Sequence, residues 1–202
     1  MAGPRYPIGG RMSDVVLGVA RRLRLPALEQ RHSSTLVLGI FAGVNGLISI
    51  GLMSLAAFAT QEPLVFPSLG PTAFLLFYTP HIPSAWPRNT ICGHLIGAGA
   101  GYLSLVVFGL TNTPAAIAHG VSGPRVGAAA LSLGLTALLM VWFKVPHPPA
   151  GATTLIVSLG VLTTLPQLGE LMLAVLLLVG QGIVINRLAG VDYPLWAGRG
   201  PE

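Results

Sequence analysis

Beyond Arg31 the chain is written in long charge-free stretches. No Asp, Glu, Lys or Arg falls between Arg31 and Glu62, Glu62 and Arg88, Arg88 and Arg125, Arg125 and Lys144, or Lys144 and Glu170. A spanning helix needs about 20 mostly apolar residues; every gap but the fourth exceeds that, and the fourth nearly reaches it. Within these gaps the apolar pattern predicts segments over about 35–59, 64–80, 89–110, 126–143, 150–165 and 168–186. Four of them read as ordinary helices. The second and fifth are short and open on Pro and Gly, which predicts extended chain followed by a truncated helix.

Composition turns this pattern into a fold class. Hydrophobic residues make up 52% of the chain and charged residues 8%, against roughly 25% charged in soluble domains. Mean hydropathy is +0.75. The expectation is an all-α integral membrane protein of one domain, with no room for a soluble catalytic module. It divides into a basic arm (1–34), a transmembrane domain (35–188) and a C-terminal tail (189–202). The formal charge of +5 does not point to nucleic acid, because six of the eleven basic residues lie in the first 31 positions, just ahead of the first span. That is the placement of an orientation signal or of contact with anionic lipid. Residues 13–25 read either as an amphipathic helix, with Arg21, Arg22 and Arg24 against headgroups, or as a flexible leader. The stretch after Arg31 is too long for a secretory signal, while an Arg-rich transit peptide stays open. The single Cys92 makes no intrachain disulfide and no metal pattern; it reads as a small packing residue.

The two short segments superimpose at a shift of 81 positions. Pro67 falls on Pro148, Gly70 on Gly151 and Thr72 on Thr153; further on, Gly99 falls on Gly180 and Gly101 on Gly182. Charge then selects a topology. If the short segments cross, there are six segments. The arm, Arg88, Lys144, Arg187 and Arg199 share one side, with Arg125 alone among basic residues on the other. If they re-enter, there are four spans, and Arg88 and Lys144 move to the outer side, which fits the positive-inside rule less well. Six segments of three per half require inverted repeats. Broken helices at matching positions of inverted repeats are a transporter pattern.

The broken segments predict chemistry. Pro71 suits a first helical position, and Pro146-His147-Pro148-Pro149 stays extended, with a helix from about Ala150. Both helix starts would turn free N–H groups and a positive dipole end into the protein, which favours anions. Ser68, Thr72, Thr153 and Thr154 add hydroxyls. The other intramembrane polar groups, Asn45, His94 and Gln181, include no acid, which disfavours cation pumping. His94 reads as an anion partner or as a structural donor. His147 reads as a site residue beside Lys144 or as an interfacial one. Arg88 and Lys144 are topology anchors first. Gly93, Gly97, Gly99 and Gly101 give one span a small-residue face for intramolecular packing or homo-oligomerisation.

Three stretches resemble the HPP family of integral membrane proteins: Val145-Pro146-His147-Pro148-Pro149-Ala150-Gly151-Ala152-Thr153, Phe66-Pro67-Ser68-Leu69-Gly70-Pro71-Thr72-Ala73, and Pro87-Arg88-Asn89-Thr90-Ile91-Cys92-Gly93-His94. The resemblance covers roughly 36–186. It implies four transmembrane helices, so the six-segment reading departs from it by counting the two broken segments. Some members of the family carry a CBS regulatory domain, which this sequence leaves no room for. Family members in plastids and cyanobacteria are associated with nitrite transport. The resemblance therefore implies passage of a small monovalent anion. It carries a substrate-path role to Gly70, Thr72, Arg88, Asn89, His94, His147, Gly151 and Thr153. The expected protein is a transporter or channel and not an enzyme, without cofactor or metal. It would sit in a bacterial inner membrane, or an organellar inner envelope, with both termini on the cytoplasmic side. Two alternatives stand beside it. A membrane-embedded enzyme would need His94 and His147 close together under an exposed pocket. A packing or assembly partner would need a filled core.

Overall fold

The computed structural model describes residues 24–198; almost all of the segment 13–25, and positions 199–202, lie outside them. The described chain forms α1 (Leu25–Glu29), α2 (Ser34–Thr60), α3 (Leu69–Tyr78), a 3-10 turn (Pro83–Ala85), α4 (Pro87–Val107), α5 (Ala116–His119), α6 (Gly123–Trp142), α7 (Ala150–Ser158) and α8 (Leu165–Leu188). α2, α4, α6 and α8 are long and apolar enough to cross a membrane. Prolines open α4, α6 and α8 in the first turn, where a missing N–H costs no helical bond. Thr164 and Gln167 close a capping box at the start of α8.

Two starts differ from the pattern-based expectation. α3 begins at Leu69, not at Pro71; the first four N–H groups of a helix have no internal partner, so proline is as harmless at the third position as at the first. α6 begins at Gly123, which takes Arg125 out of a connecting loop and into the first helical turn, where it is 2% exposed.

Hydrogen bonds between helix ends fix how the chain crosses. At one end, Leu25 N donates to Ala189 O at 2.9 Å and Arg88 N to Trp196 O at 2.8 Å. There too the Arg88 guanidinium donates to Phe143 O at 3.4 Å, and Tyr193 Oη to Ala85 O. Burial pushes the Tyr193 phenol above its usual range, so the hydroxyl keeps its proton. This arm end therefore holds the starts of α2 and α4 and the finishes of α6 and α8. At the far end, Ala116 N donates to Leu159 O at 2.9 Å, joining the loop between α4 and α6 to the finish of α7. Since α2 runs away from the arm end and α4 starts from it, the stretch holding α3 crosses back. By the same reasoning the stretch holding α7 crosses outward. The chain makes six crossings, the second and fifth half extended and half helical.

The packing repeats with the sequence. α3 packs on α2 and α8; α7 packs on α6 and α4. Each short helix thus leans on the first helix of its own half and the last helix of the other. A Cβ at Gly101 would meet Val157 Cβ at 2.7 Å, and one at Gly182 would meet Leu76 Cδ1 at 3.1 Å. These two contacts exchange under the 81-residue shift, since 101 maps to 182 and 76 to 157. The halves are therefore inverted repeats. They are not equal: α4 packs closely on α6, whereas α2 touches α8 lightly. Leu36, Ile40, Leu47, Leu55 and Phe58 of α2 are more than half exposed, as lipid-facing side chains are.

Candidate functional site

The two broken helices meet on one imidazole. Thr72 stands in the first turn of α3 and Thr153 in the first turn of α7. Thr72 Oγ1 lies 2.9 Å from His94 Nε2, and Thr153 Oγ1 lies 2.7 Å from His94 Nδ1. The threonines are the 81-residue equivalents, so the pseudo-twofold axis runs through the neighbourhood of this ring. His147, in the extended chain before α7, lies beside it, tilted by 58°, with ring centroids 4.8 Å apart. Its Nε2 is 3.2 Å from His94 Nε2 and 3.2 Å from Thr72 Oγ1. Its Nδ1 is 2.7 Å from the carbonyl oxygen of Ser84. Thr72, His94, His147 and Thr153 are all fully buried.

The carbonyl decides the protons. Ser84 O only accepts, so His147 Nδ1 carries the hydrogen, and in a neutral ring Nε2 is then an acceptor. Thr72 Oγ1 donates to Ser68 O at 2.9 Å, so the donor to His147 Nε2 is His94 Nε2–H, whose hydrogen is shared with Thr72 Oγ1 as a second acceptor at 2.9 Å. That leaves His94 Nδ1 to accept from Thr153. Two neutral rings therefore form a directed chain, Thr153 to His94 to His147 to Ser84, with every ring nitrogen satisfied. Among the described residues no group of three or more His, Cys, Asp or Glu is placed to hold a metal ion; the partners of the two rings are hydroxyls and one carbonyl.

Close backbone approach makes this geometry. A Cβ at Gly93 would stand 2.6 Å from His147 Cβ, and one at Gly97 2.6 Å from Ala150 O. α4 thus lets the extended chain and the start of α7 lie directly on its surface. Gly97→Ala is expected to lower stability by about 1–3 kcal/mol, the usual cost of overpacking. Gly99 meets nothing within 4 Å, so Gly99→Ala is expected to be neutral or to stabilise by up to about 1 kcal/mol through helix propensity. Thermal unfolding of the detergent-solubilised variants compares them.

The remaining sequence candidates divide. Ser68, at the N-cap of α3, and Thr154, in the first turn of α7, are fully buried, and neither hydroxyl has a partner. Asn89 Nδ2 donates to Pro83 O at 2.9 Å, while its buried Oδ1 has no partner. Arg88 sits at the arm end on the carbonyls of Phe143 and Lys144, apart from the imidazoles. Gly70 is exposed, and a Cβ there meets nothing within 4 Å; at Gly151 a Cβ would make only an ordinary 3.5 Å contact with Leu133. The glycines tight against the α7 segment are Gly93, Gly97 and Gly101 of α4, not Gly70 and Gly151, because α3 and α7 present the faces bearing Thr72 and Thr153 to their neighbours. Asn45 bonds its own helix at Phe41 O. Gln181 Oε1 is buried and unpartnered.

Three participants carried no clear sequence signal: Thr90, whose Oγ1 is 3.5 Å from His147 Nδ1; Ser84, which acts through its main chain; and Asn186, which donates to Leu76 O and Gly182 O, both at 2.9 Å. Asn186 ties the last helix to α3. A polar residue inside the final apolar run was the only hint.

Six crossings, inverted halves and a polar centre enclosed by apolar helices define a multi-pass α-helical membrane protein. The transmembrane region of the HPP family matches residues 30–194, and the chain belongs to that family. It is 30% identical over 145 residues to a transmembrane protein of Dictyostelium discoideum, which covers 72% of this chain and 47% of that protein. A second transmembrane protein of the same organism is 30% identical over 112 residues, 55% of this chain and 33% of that one. The chain thus spans half or less of the length of these relatives. No solved structure matches.

Proposed function

We propose that this protein moves a small monovalent anion across the membrane, with nitrite the candidate cargo, and that the anion is held where α3 and α7 begin. The observation that carries the reading is the pair of repeat-equivalent threonines on opposite nitrogens of His94. Two helix N-termini converge there, and their positive dipole ends favour an anion; the N–H groups of Leu69, Ala150, Gly151 and Ala152 are already given to main-chain carbonyls, so the hydroxyls are the donors that can replace part of its hydration shell. The unpartnered hydroxyls of Ser68 and Thr154 are further donors at the same two helix starts. Among the described residues no buried acid stands in the way. Nitrite itself comes from the family resemblance. The same reading puts both termini on the cytoplasmic side, because basic residues gather at the arm end, and takes the membrane to be a bacterial inner membrane, with an organellar inner envelope as the alternative. It makes the chain a transporter and not an enzyme.

One observation favours a second reading: the centre is filled, with both rings fully buried, as an assembly partner without a transport path would have it. On the transport reading this is the occluded state of a protein that opens alternately. Flux into liposomes holding the purified protein separates the two. Nitrite, nitrate, formate and chloride are tested against protein-free vesicles. Protein-dependent uptake of at least one is expected. Uptake equal to empty vesicles for all four would leave the assembly reading.

A further inference from the structure

We infer that the His94–His147 pair takes up one proton with each anion, so that the protein is a proton–anion symporter. This rests on the transport reading above and adds the coupling ion.

In the neutral state the chain is directed from Thr153 through His94 and His147 to Ser84, and the Thr153 hydroxyl hydrogen is spent on His94 Nδ1. Let one proton enter at the Thr153 end: Thr153 passes its hydroxyl hydrogen to His94 Nδ1 and takes the entering proton in its place, and His94 passes its Nε2 hydrogen to His147 Nε2. His147 then donates from both nitrogens, to Ser84 O and to His94 Nε2 across the 3.2 Å contact. His94 Nε2 becomes an acceptor, because its hydrogen is the one passed to His147 Nε2; the entering proton, relayed through the Thr153 hydroxyl, takes its place at Nδ1, which donates to Thr153 Oγ1 across 2.7 Å. The half of the chain above His147 reverses with no heavy atom displaced. Two things follow at the meeting point of the helices. The Thr153 hydroxyl hydrogen is released, and a full positive charge appears beside two positive helix ends.

That charge has nothing protein-borne to balance it. The polar neighbours of the rings are Thr72 from α3, the Ser84 carbonyl from the 3-10 turn, Thr90 from α4 and Thr153 from α7. The ionisable groups on the surrounding elements lie elsewhere. Tyr78 is at the end of α3 and Arg88 at the start of α4, with Cys92 and Tyr102 further along that helix; α7 has none. Arg125 opens α6, Lys144 follows it, and Glu170 and Arg187 sit near opposite ends of α8. An unbalanced buried charge costs far more than a fold can supply. An anion at the helix starts removes that cost, and it finds the freed Thr153 hydroxyl as a new donor. Each species therefore stabilises the other, and linkage makes the effect reciprocal. The moving unit, one proton with one monovalent anion, is neutral. Both are taken from solvent on one side and released to the other, so the balance closes without a further co-reactant.

The test counts protons. Nitrite is titrated calorimetrically into the detergent-solubilised protein, above the pH at which the free pair is protonated, in buffers of different ionisation enthalpy. The expected uptake is about one proton per nitrite bound, the value for fully linked binding. His147→Gln, which keeps a donor and an acceptor but cannot titrate, is expected to abolish the uptake. His119→Gln, on the exposed helix α5, is expected to retain it. In liposomes, a pH gradient is expected to drive nitrite accumulation above the protein-free baseline, while a potassium diffusion potential does not. Binding without proton uptake, or accumulation that follows the potential and ignores the pH gradient, overturns the coupling and leaves anion transport standing. Absence of any nitrite binding and any flux overturns both.

Discussion

Arg125→Leu is expected to lower stability by about 3 kcal/mol and to loosen the finish of α7. The guanidinium donates to Ser158 O at 3.0 Å, Thr113 O at 3.1 Å, Thr113 Oγ1 at 2.7 Å and Pro114 O at 3.0 Å. It thereby joins the loop after α4 to the last residue of α7. Its charge also meets the negative end of that helix. Leucine leaves the buried Ser158 carbonyl and the partly buried Thr113 carbonyl without a donor, at about 1–3 kcal/mol each, while Pro114 is exposed and can turn to water. An opposing effect is the gain from removing a charge at membrane depth, about 2.5–3.5 kcal/mol at mid-bilayer. Arg125 is in the first turn of its helix, near the interface, where that gain is small. The lost bonds therefore win. Lysine should fall between the two, because a single ammonium cannot reach both sides of the gap as a planar fork does. Unfolding midpoints in detergent check the order Arg, Lys, Leu; a leucine variant as stable as the parent would show that the carbonyls find water instead.

Much of the architecture was legible because membranes simplify the code. Charge-free length marks the spans, and their placement in the chain agrees with the helices to within a few residues. The repeat was legible through Pro67, Gly70 and Thr72 falling on Pro148, Gly151 and Thr153, since proline and glycine record backbone shape. The roles within the repeat were less so. Gly70 and Gly151 share a sequence position but not a close contact, whereas Gly93, Gly97 and Gly101 take the approach of α7. Nothing local distinguishes a glycine facing lipid from one facing a helix; the difference lies in which helix comes alongside. Arg125 read as a loop charge because a lone arginine near a span end usually anchors topology. Its carbonyl partners come from two other segments, and a main-chain acceptor has no sequence signature. The Ser84 carbonyl that orients His147 was hidden for the same reason.

His94→Leu is expected to be the most damaging single change at the centre, and the accounting shows why. His94 supplies the partner of the Thr153 hydroxyl and the donor to His147 Nε2. Leucine has a similar bulk and satisfies neither. Two or three buried polar groups at about 1–3 kcal/mol each give a loss of roughly 4 kcal/mol. Thr72 is partly spared because it keeps its bond to Ser68 O. His94→Gln restores one acceptor and one donor on a flexible stem, so about half of that loss should return. Flux is expected to separate from stability here. If the ring only holds the two helices together, glutamine should recover transport in proportion to stability. If the ring passes the anion's proton on to His147, the glutamine variant should fold and still transport at least about tenfold more slowly, the effect of about 1.4 kcal/mol on the transport barrier. Unfolding midpoints and nitrite flux measured on the same preparations decide between them, and parent-level flux in either variant would remove His94 from the path.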